Sequence, residues 1–309
     1  MTDPATIRRA EDALGSLAER DVPLGPMTTY RVGGPAALFV TARSEEDLRR
    51  VADATQGGAL PVLVVGKGSN LLVADSGFDG IAVRLGEGFD GIAVDGSTVR
   101  AGGAASLPVV ARRTVAAGLT GFEWAVGVPG SIGGAVRMNA GGHGSDMAAC
   151  LARVHVFDLA GGEDCTVPAS RLDLAYRHSN LATTQVVAWA ELALGPGSTA
   201  DGESELSEIV RWRRSNQPGG QNAGSVFTNP PGDSAGRLID AAGCKGLRVG
   251  TAEVSDKHAN FIQADEGGSA DDVFRLMGEV RRRVSEDSGV DLHHEPVLVG
   301  FRTAVGEPL

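Results

Sequence analysis

A short glycine-rich segment, Gly66-Lys-Gly-Ser-Asn70, has the composition of an anion-binding loop. It follows the apolar run 61–65, which predicts a buried strand. Gly66 and Gly68 allow the backbone to turn tightly and expose its amide N–H groups, and Ser69 and Asn70 add side-chain donors. The segment therefore predicts a nest for a phosphate or another anion.

A second glycine-rich segment covers residues 127–142 and reads GVPGSIGG, then MNAGG. By itself, either segment is equally consistent with an irregular packed loop. Together they favour a large cofactor that carries phosphate groups, because bare backbone can approach such a ligand closely. Four residues of the second segment are apolar, unlike those of a typical surface loop: Val128, Ile132, Val136 and Met138.

Other ligand-binding motifs are excluded. The run Gly86-Glu-Gly88-Phe-Asp-Gly91 matches G-x-G-x-x-G, but residues 92–97 after it are typical of a strand and a turn. A dinucleotide fingerprint needs a helix at that point, so we reject the match. The chain has no P-loop sequence, and its 3 cysteines have no zinc-ligand spacing, so we expect no metal site.

The composition of the chain limits the classes of binding partner that we expect. The 309 residues include 44 glycines, and the formal net charge is −11, which argues against nucleic acid and anionic membranes as partners. We find neither a signal peptide nor an apolar run of membrane-spanning length. The odd, widely spaced cysteines favour a reducing compartment, and we expect a cytoplasmic protein.

The secondary structure expected to position these segments is a mixture of α-helices and β-strands. Ser44 with Asp47, and Ser269 with Asp272, predict capping boxes at two helix N-termini. Further helices are expected over 106–117 and 204–214, and a linker near 195–203.

An ordered set of motifs over about residues 22–301 resembles the family of UDP-N-acetylenolpyruvoylglucosamine reductase, also called UDP-N-acetylmuramate dehydrogenase or MurB. The resemblance implies a flavoenzyme that reduces the enolpyruvyl ether of UDP-N-acetylglucosamine, a UDP-sugar, to UDP-N-acetylmuramate for peptidoglycan synthesis. It implies FAD bound non-covalently and NADPH as reductant. The matching segments are Thr28–Pro35, Gly66–Asn70, Gly127–Ala135, Tyr176–Ser179, Ala223–Pro230, Ala235–Asp240, Val254–Ile262 and Leu292–Val297.

The resemblance also implies a fold. We expect an α+β protein with a two-subdomain FAD-binding module of the PCMH or vanillyl-alcohol-oxidase type, followed by a third, α/β substrate domain. The short span from Tyr176 to Ser225 indicates the shorter family type, which lacks an extra tyrosine-bearing loop. We expect a monomer or weak dimer. The predicted boundaries are 1–86 and 87–198 for the FAD subdomains, 204–296 for the substrate domain, and 297–309 for a final strand and tail.

The resemblance assigns roles to particular residues. Arg177 would bind the substrate and stabilise the developing enolate, Ser225 would donate the proton, and Glu295 would orient the proton relay. Asn229 would help to hold the substrate. The implied FAD contacts are Gly66, Lys67, Gly68, Ser69, Asn70, Gly127, Pro129, Gly130, Ser131, Gly133, Gly134, Asn139 and Gly141.

Two departures leave alternatives open. Asn216 and Thr228 stand where the family often has lysine, so the phosphate contacts of this chain are not those of the usual motif. Arg211, Arg213, Arg214 and Arg237 are candidates to replace them. The alternatives to the reductase are another flavin oxidoreductase on the same fold and a non-catalytic flavin-binding paralogue.

Overall fold

The computed structural model describes residues 2–55 and 58–301. The chain forms two compact units, each assembled from separate stretches of sequence. Of the described residues, unit 1 comprises 2–20, 37–55, 58–67 and 79–213, and unit 2 comprises 21–36, 68–78 and 214–301. This division is coarser than the domain boundaries expected from the sequence, which stay a prediction.

The helices found in the described residues are mostly short. They are α1 (Pro4–Leu14), α2 (Glu45–Ala54), α3 (Leu107–Ala116), α4 (Ile132–Met138), α5 (Thr199–Asn216), α6 (Ala235–Ala241) and α7 (Ala270–Ser288).

The strands are also short. In chain order they are β1 (Ala18–Pro23), β2 (Pro35–Ala42), β3 (Val62–Val64), β4 (Leu71–Val73), β5 (Phe78–Leu85), β6 (Ile92–Asp95), β7 (Thr98–Gly102), β8 (Leu119–Thr120), β9 (Gly141–Gly142), β10 (Ser145–Asp146), β11 (Leu151–Asp158), β12 (Asp164–Pro168), β13 (Gln185–Ala193), β14 (Gly195–Pro196), β15 (Arg248–Val249), β16 (Ala252–Val254), β17 (Ile262–Ala264) and β18 (Val297–Val299).

Two sheets account for most of unit 1. A four-stranded sheet has the order β1-β2-β5-β3, with β3 parallel to β5. A five-stranded antiparallel sheet has the order β12-β11-β13-β7-β6. One aliphatic core packs α3 and α4 against the five-stranded sheet, and another packs α1 and α2 against strands of both sheets. Burial of this aliphatic surface is the main stabilising term, since few aromatic side chains contribute to it.

Unit 2 packs α6 and α7 on a small antiparallel sheet of order β15-β16-β17. A parallel pair, β4 with β18, aligns Leu71 with Val297. Leu276, Met277 and Val280 lie on the buried side of α7, as its apolar periodicity predicts.

The predicted capping box of α2 is confirmed, because Ser44 and Asp47 exchange side-chain and backbone hydrogen bonds. The box predicted for α7 is wrong in one half. Ser269 Oγ accepts from Asp272 N (3.2 Å), but the Asp272 carboxylate accepts from the backbone N and hydroxyl of Thr251 (2.8 and 2.9 Å). A distant partner therefore takes the carboxylate that the local pattern assigned to the helix end.

Helix α5 begins at Thr199, earlier than the predicted Ser204. Gly202, which disfavours a helix by itself, lies inside α5 and is buried. A Cβ at this position would come within 2.8 Å of Val115 Cγ1, so close packing on α3 requires glycine here. By contrast, the rejection of the G-x-G-x-x-G match is confirmed, because strand β6 follows Gly91.

Candidate active site

The loop Gly66–Asn70 has the free donors that an anion nest needs. Among described residues, the amides of Gly66 and Lys67 donate no hydrogen bond within unit 1, and those of residues 68–70 donate none within unit 2. Gly68 has φ +63°, and a Cβ there would lie 2.2 Å from Met27 O. Only glycine fits this position. Backbone N–H groups that donate no hydrogen bond within their unit are suited to bind phosphate oxygens.

The segment 127–142 differs from this loop, because most of its backbone amides already donate hydrogen bonds within unit 1. Ile132 N donates to Ala105 O and Gly133 N to Gly103 O, both at 2.9 Å, and Gly134 N is within 3.4 Å of Ser131 Oγ. Ile132 is fully buried in the core of unit 1. This segment therefore offers a cofactor close backbone contact rather than a row of free donors.

The two glycine segments meet at one point within unit 1. A Cβ built on Gly66 would come within 2.8 Å of Ser131 Oγ. A Cβ on Gly134 would meet only this same hydroxyl, at 3.5 Å. Without a Cβ at Gly66 and Gly134, a flat cofactor with phosphates can approach the backbone closely. The residues present thus fit FAD.

Asn139 has a structural task that the sequence did not reveal. It is 2 % exposed and has φ +39°. Its Nδ2 donates to Ala175 O (2.9 Å) and its Oδ1 accepts from Ala148 N (2.9 Å). The side chain thereby holds the turn that carries Arg177 and has little capacity left for a cofactor.

Arg177 lies in a tight turn in which Ala175 and His178 exchange backbone hydrogen bonds of 3.1 and 3.0 Å. Its φ is +55°, a left-handed conformation that a non-glycine residue adopts at a cost. Its Nη2 donates to Gly141 O (3.2 Å), and its guanidinium lies 5.0 Å from the ring centre of Tyr176. Such strain, held by surrounding contacts, is typical of a functional position.

Ser225 and Glu295 are brought together in unit 2. Ser225 follows Gly224 (φ +78°), and Val226, the next residue, donates from N to Asn260 O (2.9 Å). Val226 O in turn accepts from Glu295 N (2.8 Å). The segment of the expected proton donor is thus hydrogen-bonded to the segment of Glu295, the residue expected to orient the proton relay.

Asn70 supports the Glu295 segment, since Asn70 Nδ2 donates to Glu295 O (3.2 Å). In contrast, the Ser225 hydroxyl makes no hydrogen bond within the described part of unit 2. A hydroxyl without a fixed partner is available to a ligand.

A cavity of about 390 Å³ lies within unit 2. The expected proton donor, Ser225, and an expected substrate contact, Asn229, both line it. Asn229 Oδ1 accepts from Ala235 N (3.0 Å) and so caps α6. The remaining lining residues include three basic side chains (arginine and lysine) and one carboxylate: Ser234, Gly236, Arg237, Asp240, Lys245, Lys257, His258, Ala259 and Asn260.

The cations of this cavity differ in how they are paired. Arg237 binds Asp233, and Lys245 Nζ lies 2.8 Å from Asp240 Oδ2. Lys257 Nζ instead donates to a backbone carbonyl, Arg214 O, at 2.6 Å. Lys257 therefore brings a charge that no carboxylate of the described residues balances.

Burial, with a smaller effect from the charge of Lys245, lowers the pKa of His258 below its usual range. The ring is therefore neutral at neutral pH, and Nδ1 lies 3.3 Å from Asn260 N. Since the Asn260 side chain also hydrogen-bonds the backbone N (2.9 Å) and O (2.8 Å) of Phe227, His258 helps to support the segment that carries Ser225.

Sequence reasoning did not single out Lys245, Lys257 or His258 as cavity residues. Lys257 and His258 fall inside the motif 254–262, which was the available signal. Among the proposed replacements for the missing lysines, Arg237 lines the cavity, whereas Arg213 lies in unit 1 and donates to Gly127 O.

Two further expectations can be compared with the described residues. No group of three or more His, Cys, Asp or Glu side chains in residues 2–55 and 58–301 is arranged to hold a metal ion. No helix within these ranges has both the length and the apolar character needed to cross a membrane.

Comparison with known proteins identifies both parts of the chain. The FAD binding domain matches residues 36–167, and the C-terminal domain of UDP-N-acetylenolpyruvoylglucosamine reductase matches residues 216–299. These matches confirm the expected fold class, an FAD-binding module followed by a second type of α/β domain.

Relatives that match over almost the whole chain indicate the same family. UDP-N-acetylenolpyruvoylglucosamine reductase 2 of Symbiobacterium thermophilum is 44 % identical over 97 % of this chain and 94 % of its own length. The corresponding reductase of Paramagnetospirillum magneticum is 43 % identical over 91 % and 92 %. The crystal structure of the reductase MurB from Thermus caldophilus is 37 % identical, with a TM-score of 0.81 over 91 % of this chain and 98 % of that one. The chain therefore belongs to the UDP-N-acetylenolpyruvoylglucosamine reductase (MurB) family, oxidoreductases of peptidoglycan precursor synthesis that use FAD and NADPH.

Proposed function

We propose that this chain reduces the enolpyruvyl ether of UDP-N-acetylglucosamine to UDP-N-acetylmuramate, with NADPH as the reductant and hydride transfer through FAD. The observation that carries the proposal is the cavity of unit 2. It places Ser225 and Asn229 among basic side chains in a space suited to a phosphorylated sugar. This combination favours the reductase over another flavin oxidoreductase, and turnover measurements separate it from a silent flavoprotein.

Reduction of the enol ether adds a hydride to the terminal vinyl carbon and a proton to its neighbour. When bound, FAD accepts hydride from NADPH and passes it to the substrate. The protein's task is then to stabilise the enolate-like anion and to deliver the proton. Arg177 suits the first step, because a guanidinium is always charged and binds a carboxylate with two hydrogen bonds.

Ser225 is the proton donor in this proposal. A hydroxyl is a weak acid, so it protonates only a strongly basic carbanion held within hydrogen-bond reach. Two features support the role. Ser225 lines the cavity and its side chain makes no hydrogen bond in the described part of unit 2, and the backbone of the next residue, Val226, is hydrogen-bonded to Asn260 and Glu295. Glu295 is proposed to orient the proton relay from its neighbouring segment.

The basic side of the cavity would hold the diphosphate of the substrate. Lys257 is the strongest candidate, since its ammonium is already in place and lacks a carboxylate partner among the described residues. Arg237 and Lys245 add charge, and Asn229 contributes its amide nitrogen. This set offers a replacement for the lysines missing at Asn216 and Thr228.

The FAD contacts are proposed from the two glycine segments. Gly66, Lys67, Gly68, Ser69 and Asn70 would bind phosphate through free amides, as their geometry supports. The other segment would lie against the cofactor with its backbone: Gly127, Pro129, Gly130, Ser131, Gly133, Gly134, Asn139 and Gly141.

We further propose that the protein acts in the cytoplasm as a monomer or weak dimer. Its reductant and its sugar-nucleotide substrate are both water-soluble, which supports that location. Light scattering coupled to gel filtration over a hundredfold range of concentration tests the oligomeric state. A mass that stays at two or more chains at the lowest concentration would refute it.

The decisive experiment separates the two half-reactions. In Ser225→Ala, reduction of the flavin by NADPH should stay within about twofold of wild type, while reoxidation by the enolpyruvyl sugar nucleotide should slow by at least ~100-fold. Stopped-flow absorbance of the flavin measures both. The matched control is Ser285→Ala, an exposed serine on α7 of the same unit.

Three results would contradict the proposal. Equal loss of both half-reactions in Ser225→Ala would remove its role as proton donor. Oxidation of a hydroxy acid or a sugar by the wild type, without turnover of the enolpyruvyl substrate, would identify another flavin oxidoreductase. Flavin binding with no turnover of any of these substrates would identify a non-catalytic paralogue.

A further inference from the structure

Arg137, in the last turn of α4, is a charged side chain without a partner. Its Nη1 is buried and makes no hydrogen bond in the described residues. No carboxylate there forms an ion pair with it, and burial lowers the pKa of the guanidinium. A buried N–H of a cation that lacks an acceptor is costly, so native proteins rarely retain one unless a ligand completes it.

The backbone around Arg137 is tied to a neighbouring segment. Arg137 O accepts from Ser179 Oγ (2.7 Å), and Asn139, two residues later, donates to Ala175 O (2.9 Å). These bonds tie the end of α4 to the turn of Arg177. The unsatisfied donor therefore belongs to a rigid part of unit 1, directly after the segment Gly127–Gly134.

We propose that Arg137 binds an anionic group of the flavin cofactor through Nη1. This inference rests on the flavin site proposed above for residues 127–142. FAD offers two anionic groups of shared acceptor chemistry: the diphosphate, and the N1–C2=O edge of the ring once it is reduced. The charge of Arg137 would complement either, and binding would satisfy the orphaned N–H.

The inference explains why an arginine is tolerated at this position. In the absence of cofactor the unpaired charge destabilises the protein, and in its presence the same charge contributes to binding. Replacement by methionine, which is apolar and of similar length, should therefore act in opposite directions on the two forms. A residue with a merely structural role would lower the stability of both.

The test compares Arg137→Met and Arg137→Lys with wild type and with Arg112→Met, a control at an exposed arginine on α3. Arg137→Met should raise the melting temperature of the flavin-free protein but raise the Kd for FAD at least tenfold, about 1.4 kcal/mol. Arg137→Lys should keep part of the affinity, because the charge remains. Arg112→Met should change neither quantity.

Two measurements identify the anion. If the diphosphate is the partner, Arg137→Met weakens FAD but leaves the affinity for riboflavin, which has no phosphate, unchanged. If the reduced ring is the partner, the midpoint potential of bound flavin falls, by about 30 mV for each tenfold loss of preference for the reduced form. Either result supports the inference.

The inference is overturned if Arg137→Met has wild-type FAD affinity and a wild-type midpoint potential. It is also overturned if the flavin-free variant loses stability to the same extent as the flavin-bound one. Failure of the underlying function is distinguishable, because wild type itself would then bind no flavin.

Discussion

The left-handed backbone at Arg177 allows the cost of its backbone strain to be measured separately from the role of its guanidinium in the reaction. Arg177→Gly and Arg177→Ala both remove the guanidinium and its hydrogen bond to Gly141 O. They differ only in that glycine adopts φ +55° freely and alanine does not. We therefore expect Arg177→Gly to be the more stable of the two variants, although both should lack reductase activity.

The size of the difference follows from the backbone. A left-handed conformation costs an L-residue about 1–2 kcal/mol. Arg177→Gly avoids this cost, which Arg177→Ala retains. Part of the advantage is lost, because glycine gives up roughly 0.5–1 kcal/mol more conformational free energy on folding than alanine. The net advantage of Arg177→Gly over Arg177→Ala is about 0.5–1 kcal/mol. With a urea m-value of about 3 kcal/mol/M for a chain of this size, the midpoint should rise by roughly 0.2–0.3 M.

The assay is urea unfolding followed by circular dichroism at saturating FAD, together with turnover of NADPH. The matched control is Ala175→Gly, in the same turn but at a residue of negative φ. This substitution should lower the free energy of unfolding by roughly 0.5–1 kcal/mol. If Arg177→Gly is no more stable than Arg177→Ala, the turn is not strained at this residue and the reasoning fails.

Tyr30 is fully buried and its hydroxyl has no hydrogen-bond partner in the described residues, so Tyr30→Phe should raise the free energy of unfolding by roughly 1–3 kcal/mol. Tyr176→Phe, at the exposed second tyrosine, should leave the free energy of unfolding unchanged. Burial raises the pKa of Tyr30, so in alkaline titration at 295 nm the absorbance change that Tyr30→Phe removes should appear only on unfolding. A loss of stability in Tyr30→Phe would reveal a hidden partner. For His258, whose pKa is lowered by burial and by Lys245, the unfolded state binds more protons than the folded state below about pH 6.5. Stability should therefore fall as the pH falls through that range, and His258→Gln should reduce this loss in urea titrations at pH 7 and pH 5. Identical pH dependence in both proteins would show that His258 is not the group responsible.

Much of the local structure was predictable because it depends on neighbours in sequence. The Ser44 capping box and the strand after Gly91 involve residues only a few positions apart. Their energies are therefore present in any context that allows the helix or strand. The same is true of the glycine segments, since Gly68 needs its positive φ wherever the chain turns in that way.

Side-chain partners from distant segments were not predictable. Asp75 caps α7 from far away in sequence, since its Oδ1 accepts from Ala270 N at 2.9 Å. Asp272, which the local pattern assigned to Ser269 N, binds Thr251 instead, and Ser269 N donates to Thr251 Oγ1 (2.8 Å). A carboxylate chooses among donors that folding has brought close, and the sequence alone does not say which donors those are.

By itself, the sequence determined the family and the class of cofactor, and it nominated residues for the reduction of an enol ether, because motif chemistry is local. Only the tertiary structure decided which donors remain available. In the folded chain, the side chain of Asn139 is already hydrogen-bonded within the protein. The amides of Gly66 and Lys67 donate no hydrogen bond within their unit, and Nη1 of Arg137 is buried without a partner in the described residues. The physical reason is that a hydrogen bond needs both groups at about 3 Å, and packing alone settles which pairs reach that distance.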